Sequence, residues 1–256
     1  MLYPGLVSVT FRRLAPRAVV DLACEAGLEA IEWGGDTHVP HGDLRAAREV
    51  RRLSAERGLR VAAYGSYYSF GPEQAWEPVL QTAVALGAPL VRVWAGDRRS
   101  AEADERYRAR LAAEGRRVAQ HAARHGLEVA YEFHANTLTD TPASALALLR
   151  AAEPMRTLWQ PPHDCAVEQQ LATLRDVLPW LANVHAFTWR GARRERFALA
   201  DGAPLWRQAL HMLARSGREH GVLLEFVAGD DPEQLGRDAA TLHGWLDEIK
   251  KDKHDG

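Results

Sequence analysis

Eight short apolar runs alternate with longer amphipathic stretches along this 256-residue chain, and that alternation leaves few folds open. The runs lie at 6–11, 28–33, 59–64, 90–94, 127–133, 157–160, 184–187 and 222–227. Four follow a glycine, Gly27, Gly58, Gly87 or Gly126, the residue that takes the left-handed conformation where a helix ends. Between runs the apolar residues keep helical spacing: Ala145, Leu148, Leu149 and Ala152 fall at i, i+3, i+4 and i+7 and share a face. Pro16, Pro142 and Pro232 stand where a first-turn proline forfeits no hydrogen bond, the last two after the capping residues Thr141 and Asp231. Parallel strands need crossover helices, so eight strand–helix units without a linker predict an α/β protein, a single (β/α)8 TIM barrel over residues 1–249. The charged residues 250–256 are expected to fray. A doubly wound open sheet shares the alternation, but no GxGxxG follows the first run.

Composition removes several chemistries. All three lysines, Lys250, Lys251 and Lys253, sit at the end of the chain, which excludes Schiff-base aldolases, pyridoxal phosphate attachment and a lysine-bearing phosphate loop. Cys24 and Cys165 are too few for a disulfide framework or a cysteine-ligated zinc. A net charge of −2 gives no global pull toward nucleic acid or an anionic membrane. No charged leader precedes an apolar stretch and no run reaches a membrane-spanning length, so a cytoplasmic protein is expected.

In such a barrel the active site forms at the C-terminal ends of the strands. The fifth run ends VAYEFH, placing Glu132 and His134 on one face; the sixth ends TLWQPPHD, with Gln160, His163 and Asp164; VHAFTW carries His185 and LLEFV carries Glu225. Singly, each reads as a hydrogen-bonded or ion-paired core residue. Together, Glu132, Gln160, His185 and Glu225 come from adjacent strands, and three oxygen donors with one imidazole suit Mn²⁺, Mg²⁺, Co²⁺ or Zn²⁺. His38 and His41 follow the second run and are expected to contact substrate or to lie in a solvated loop; Tyr64, Tyr67, Tyr68 and Trp94 end the third and fourth runs and are expected to wall a sugar ring or to close the barrel. Arg190, Arg193, Arg194 and Arg196 follow the seventh run and suit a phosphate or carboxylate, or else a solvated loop. His121 and His125 in HAARH lack the glutamate of a metalloprotease and read as surface helix, and Cys165 reads as inert.

The phrases EFHANTLTDTPASALALL, WQPPH, VHAFTW and LLEF resemble the sugar-phosphate isomerase/epimerase family of xylose isomerase-like barrels. IEWGGDTHVPHGD and AAYGSYYSFG resemble its substrate loops. The resemblance implies one divalent metal held by Glu132, the strand-six residue, His185 and Glu225, with His163 near the substrate. Two departures stand out. The strand-six ligand is usually aspartate, and Gln160 in its place keeps an oxygen but removes a negative charge, so metal binding should weaken unless Asp164 compensates. Thr188 stands where an acidic residue often supports the metal-binding histidine.

The expected activity is a metal-dependent isomerase or epimerase of a small sugar, ketose, polyol or sugar phosphate, by proton transfer through an enediolate on a single divalent metal. Glu132 and Glu225 would carry the proton, and His163 would orient or protonate the oxyanion. His38, Tyr64, Tyr67, Trp94, His134 and Arg190 are the expected substrate contacts. The alternatives are an abasic-site endonuclease, disfavoured by too few ligands for three metals, and a metal-poor sugar-binding barrel without turnover. No nucleic-acid or membrane partner is expected, and self-association is left open.

Overall fold

The four helix-ending glycines all take left-handed backbone, with φ of 70° at Gly27, 72° at Gly58 and Gly87 and 74° at Gly126. The computed structural model describes residues 1–71, 75–163, 165–191 and 194–252. In chain order the strands are β1 (Leu2–Val7), β2 (Ala30–Gly34), β3 (Arg60–Ser69), β4 (Leu90–Trp94), β5 (Glu128–Glu132), β6 (Arg156–Trp159) and β7 (Leu181–Ala186). A short antiparallel hairpin follows, β8 (Thr188–Arg190) and β9 (Glu195–Phe197), and then β10 (His220–Leu224). Strands β1 to β7 and β10 pair in parallel and close into a barrel, β10 lying between β7 and β1.

Each barrel strand is followed by a helix: α1 (Pro16–Glu25), α2 (Leu44–Glu56), α3 (Trp76–Leu86), α4 (Glu105–Ala123), α5 (Pro142–Ala151), α6 (Val167–Val177), α7 (Ala203–Arg215) and α8 (Pro232–Asp252). Pro142 opens α5 behind Thr141, whose hydroxyl accepts the Ser144 N–H, and Asp231 accepts the Glu233 N–H at the start of α8. The α8 helix carries on through Lys250 and Lys251 to Asp252, and residues 253–256 lie outside the described residues.

The first strand lies earlier than expected, at Leu2–Val7 rather than 6–11, and Ser8–Phe11 form a 3-10 turn. Pro4 and Gly5 make LYPGLV read as a turn, yet Pro4 still accepts the Glu29 N–H through its carbonyl. Gly5 is required by close approach: a Cβ there would lie 2.6 Å from Leu223 Cδ2 and 2.7 Å from the Ala30 carbonyl oxygen.

Most apolar side chains pack between strands and helices in one large core. Smaller groups fill the barrel: Tyr3, Val7, Ala30, Ala62 and Leu223, and Ala63, Leu90, Ala130 and Leu158. His220, at the start of β10, is fully buried, with Nδ1 2.7 Å from the Ala182 carbonyl oxygen and Nε2 2.9 Å from Ser216 Oγ. Burial pushes its pKa below the ordinary histidine value. A histidine whose pKa is lowered by folding stabilises fully above its unfolded pKa, near 6.5, and loses that contribution as pH falls. Denaturant titrations at pH values from about 7.5 down to about 5 should therefore show a shallower loss of stability for His220→Gln than for wild type; equal slopes would contradict this role.

Candidate active site

One step of two residues beyond the apolar barrel layer, six strands turn polar side chains inward: Glu32 on β2, Arg92 on β4, Glu132 on β5, Gln160 after β6, His185 on β7 and Glu225 after β10. Their contacts cross the barrel. His185 Nε2 lies 3.0 Å from Glu32 Oε2, although β7 and β2 are not neighbours, so both point into the interior. Arg92, fully buried, donates from Nε to Glu32 Oε1 at 2.7 Å and from Nη1 to Glu132 Oε2. The Trp94 indole N–H also donates to Glu132 Oε2, at 2.7 Å, leaving Oε1 as that carboxylate's remaining acceptor. Glycine at 65 makes room for the pair, since a Cβ there would meet Arg92 Nη2 at 2.6 Å and Glu32 Oε1 at 2.8 Å. Glu225 Oε2 completes the chain 3.3 Å from His185 Nδ1.

The charges fit one another. Burial alone would raise the Glu32 pKa, but positive His185 and Arg92 outweigh it and hold Glu32 below the usual carboxylate range. Burial would likewise lower His185, and Glu32 and Glu225 outweigh it and raise it well above its ordinary value. Sequence reasoning passed over Glu32 and Arg92, although LVRVW shows the same lone charge in an apolar run that singled out Glu225 in LLEFV.

The expected ligands can be tested against the donor atoms present. Gln160 donates its Nε2–H to the Phe133 carbonyl at 2.6 Å, which turns Oε1 away from that bond. Gln160 Oε1, His185 Nδ1 and Glu225 Oε2 are each buried without a hydrogen bond, although the last two approach to 3.3 Å; a cation would satisfy the oxygens, and Nδ1 once it has given up its proton. Among the described residues no three His, Cys, Asp or Glu side chains group closely enough to hold an ion, so the set depends on the Gln160 amide and on Glu132, which leans toward Arg92. Asp164 lies outside the described residues. Support for His185 comes from Glu32, which bonds Nε2 and leaves Nδ1 for a metal, as carboxylates commonly do for metal-binding imidazoles. Thr188 instead bonds the Leu199 carbonyl at the start of the hairpin. These are the donor atoms on which a divalent ion would draw.

Above the floor is a cavity of about 710 Å³, lined on one side by Tyr67, Trp94 and His134 and on the other by His163, Trp189 and Phe226. Tyr67 and Trp94 meet edge to face with ring centres 5.2 Å apart, and Trp94 lies 4.7 Å from His134. Opposite, His163 stacks on Trp189 at 4.8 Å. Three non-glycine residues on the cavity wall have left-handed backbone, Tyr67 (φ 57°), Arg194 (φ 53°) and Phe226 (φ 51°), the local strain that gathers at functional sites.

The structure thus brings Glu132, Gln160, His163, Glu225, Tyr67, Trp94 and His134 to one cavity, with His185 in its floor. It sets three expected contacts apart. His38 is buried with Nδ1 2.9 Å from Ser8 Oγ and Nε2 3.1 Å from the Leu14 carbonyl, and Tyr64 donates its hydroxyl to the Val39 carbonyl at 2.8 Å. Arg190 lies on the hairpin, donates to the Asp201 carbonyl at 2.9 Å and lines a neighbouring cavity of about 550 Å³.

Barrel and floor define a (β/α)8 barrel with carboxylates, an amide and an imidazole gathered at its strand ends. The chain belongs to the xylose isomerase-like TIM barrel family, whose model matches residues 20–249. It is similar to the crystal structure of the probable 3-DHS dehydratase AsbF, involved in petrobactin synthesis, from Bacillus anthracis: TM-score 0.76, 19% identity, covering 95% of this chain and 99% of that one. A xylose isomerase-like TIM barrel protein from Mycobacterium smegmatis in complex with magnesium has TM-score 0.72 and 15% identity, covering 96% of this chain and 97% of its own. D-psicose 3-epimerase in the presence of D-fructose has TM-score 0.69 and 13% identity, covering 96% of this chain and 99% of its own. At these identities the likeness is one of fold. No curated protein matches by sequence. No helix among the described residues is long and apolar enough to cross a membrane.

Proposed function

We propose that this protein is an isomerase or epimerase of a small ketose, polyol or sugar derivative, moving a proton at a carbon beside a carbonyl with the help of one divalent ion. The observation that carries the reading is the set Gln160 Oε1, His185 Nδ1 and Glu225 Oε2, which make no hydrogen bond and lie buried near Glu132. Glu132, Gln160, His185 and Glu225 are the residues that would hold the ion, which when bound would supply Lewis-acid polarisation of the substrate carbonyl.

The chain's own side chains do the rest. A carboxylate takes the carbon-bound proton; the C–H electron pair moves into the carbon–carbon bond and the carbonyl π pair onto oxygen, giving an enediolate. Glu132 and Glu225 stand on strands separated by β6 and β7, so they can reach a substrate from two sides. Return of a proton to the other face of the same carbon epimerises it, and return to the neighbouring carbon isomerises the substrate. His163, on the cavity wall, is placed to orient or protonate the oxyanion. Tyr67, Trp94 and His134 contact substrate and exclude water, while His38 and Tyr64 hold the segment after β2 behind them.

Elemental analysis of protein saturated with Mn²⁺ and desalted should find about one ion per chain. Gln160→Asp should tighten binding by restoring a charge, and Glu32→Gln should loosen it about 10- to 100-fold by releasing His185. A content near zero that Gln160→Asp leaves unchanged would remove the metal from the proposal.

A further inference from the structure

Four guanidinium groups line the main cavity, those of Arg12, Arg92, Arg99 and Arg194. Two are already matched. Arg92 is held between Glu32 and Glu132, and Arg12 pairs with Asp36 and donates to the Tyr67 hydroxyl at 2.7 Å. Arg99 and Arg194 are not: among the described residues neither has a carboxylate within salt-bridge distance, 4.0 Å. Arg99 donates to the amide oxygen of Asn136, at 3.3 Å, and Arg194 lies over the Trp189 ring at 5.6 Å.

Among the described residues no acidic group on the cavity lies within salt-bridge distance of either arginine: Glu132 is taken by Arg92 and Trp94, Glu225 lies against His185, and Asp140 accepts the Ser100 N–H at 3.0 Å through Oδ2 while its buried Oδ1 makes no hydrogen bond. The neighbouring arginines of the hairpin are engaged elsewhere, Arg190 with Asp201 and Arg196 with Asp230. Arg193 lies outside the described residues. Arg194 lines both this cavity and the neighbouring one from a left-handed backbone that a non-glycine residue rarely adopts, so its placement carries a conformational cost. Two exposed cations that, among the described residues, have no acidic partner make a positive rim to the cavity.

We propose that Arg99 and Arg194 are specificity-determining residues that select a substrate bearing an anionic oxygen group, a carboxylate or a phosphate ester, at the end away from the reacting carbons. This deepens the function proposed above and rests on it for the reacting end only. The rim recognises charge whether or not a proton moves at the floor.

The test therefore reads binding and not turnover. Three probes share a six-carbon ketose skeleton: D-fructose, D-fructose 6-phosphate and 5-keto-D-gluconate, which ends in a carboxylate. Ligand-observed NMR titrations at low salt give their dissociation constants for wild type, Arg99→Gln/Arg194→Gln and Arg218→Gln. Arg218 precedes β10 and so controls, at the opposite end of the barrel, for the loss of a positive charge. Wild type should bind at least one anion about tenfold or more tightly than D-fructose. That advantage should collapse in the double variant and survive in Arg218→Gln. A preference for the phosphate assigns an ester, and a preference for 5-keto-D-gluconate assigns an acid. Equal binding of neutral and charged probes would overturn the proposal, as would failure of both anions to saturate. Persistence of the advantage in the double variant, as when an anion is held by a bound metal, would overturn it as well. Because both arginines are exposed, thermal melting should show all variants folded. Proton exchange at the reacting carbon is read separately, so its absence would count against the function and leave the anion preference standing.

Discussion

Arg92→Met should cost about 3–5 kcal/mol of folding stability, because it leaves carboxylates buried without their cation. The guanidinium is fully enclosed, bonded to Glu32 through Nε and to Glu132 through Nη1, in the space that Gly65 leaves for it. Methionine replaces the stem and not the charge. Glu32 would keep only His185 as a partner, and Glu132 only the Trp94 N–H. Arg92→Lys should rescue little, since a point charge cannot hold two carboxylates in one planar fork. Adding Glu132→Gln to Arg92→Met should recover part of the loss, because the two residues share one interaction and their effects are not additive. Denaturant midpoints for the two single variants and the double variant measure this; an Arg92→Met protein as stable as wild type would refute the charge ledger of the floor.

Glu132→Gln and Glu225→Gln should each slow proton exchange by about 10² to 10⁴-fold, the usual worth of a positioned general base. An amide keeps the shape and one carbonyl oxygen, so the barrel should survive. The two variants should differ in stability. Glu132→Gln removes the negative charge that pairs with Arg92 and receives the Trp94 N–H, whereas Glu225 has only the 3.3 Å approach of His185 to lose. Folding free energies, metal content and exchange rates measured together separate these effects. If both variants hold their metal and exchange at the wild-type rate, neither glutamate moves the proton and His163 becomes the candidate.

The barrel was legible because its signals are local. Glycines at helix ends, proline in first turns and the alternation of short and long apolar periods each need only a few neighbouring residues to be read. The polar strand ends after 127 were legible for the same reason: one charged or amide side chain in an apolar run is conspicuous. What could not be read was partnership. Glu32 meets Arg92 60 residues away and His185 153 residues away, and only barrel closure brings them together. The same holds for His38 and Tyr64, whose polar atoms turn to protein partners rather than to the cavity. The hairpin after β7 escaped notice because three-residue strands are too short to show a period and RGARRER reads as solvated loop. Left-handed Tyr67 carries no signal at all, since nothing in YGSYY marks the tyrosine directly after Gly65 and Ser66 as strained.

The most direct test of the central claim is solvent exchange at carbon. Wild-type protein loaded with Mg²⁺ is incubated in deuterated water with ketoses, their terminal acids and their terminal phosphates, and each compound is recovered and weighed by mass spectrometry. The account predicts that at least one of them gains deuterium at the carbon beside its carbonyl, and that Glu132→Gln and Glu225→Gln abolish the gain. Recovery of every compound unlabelled, from protein shown to hold its metal, would contradict it.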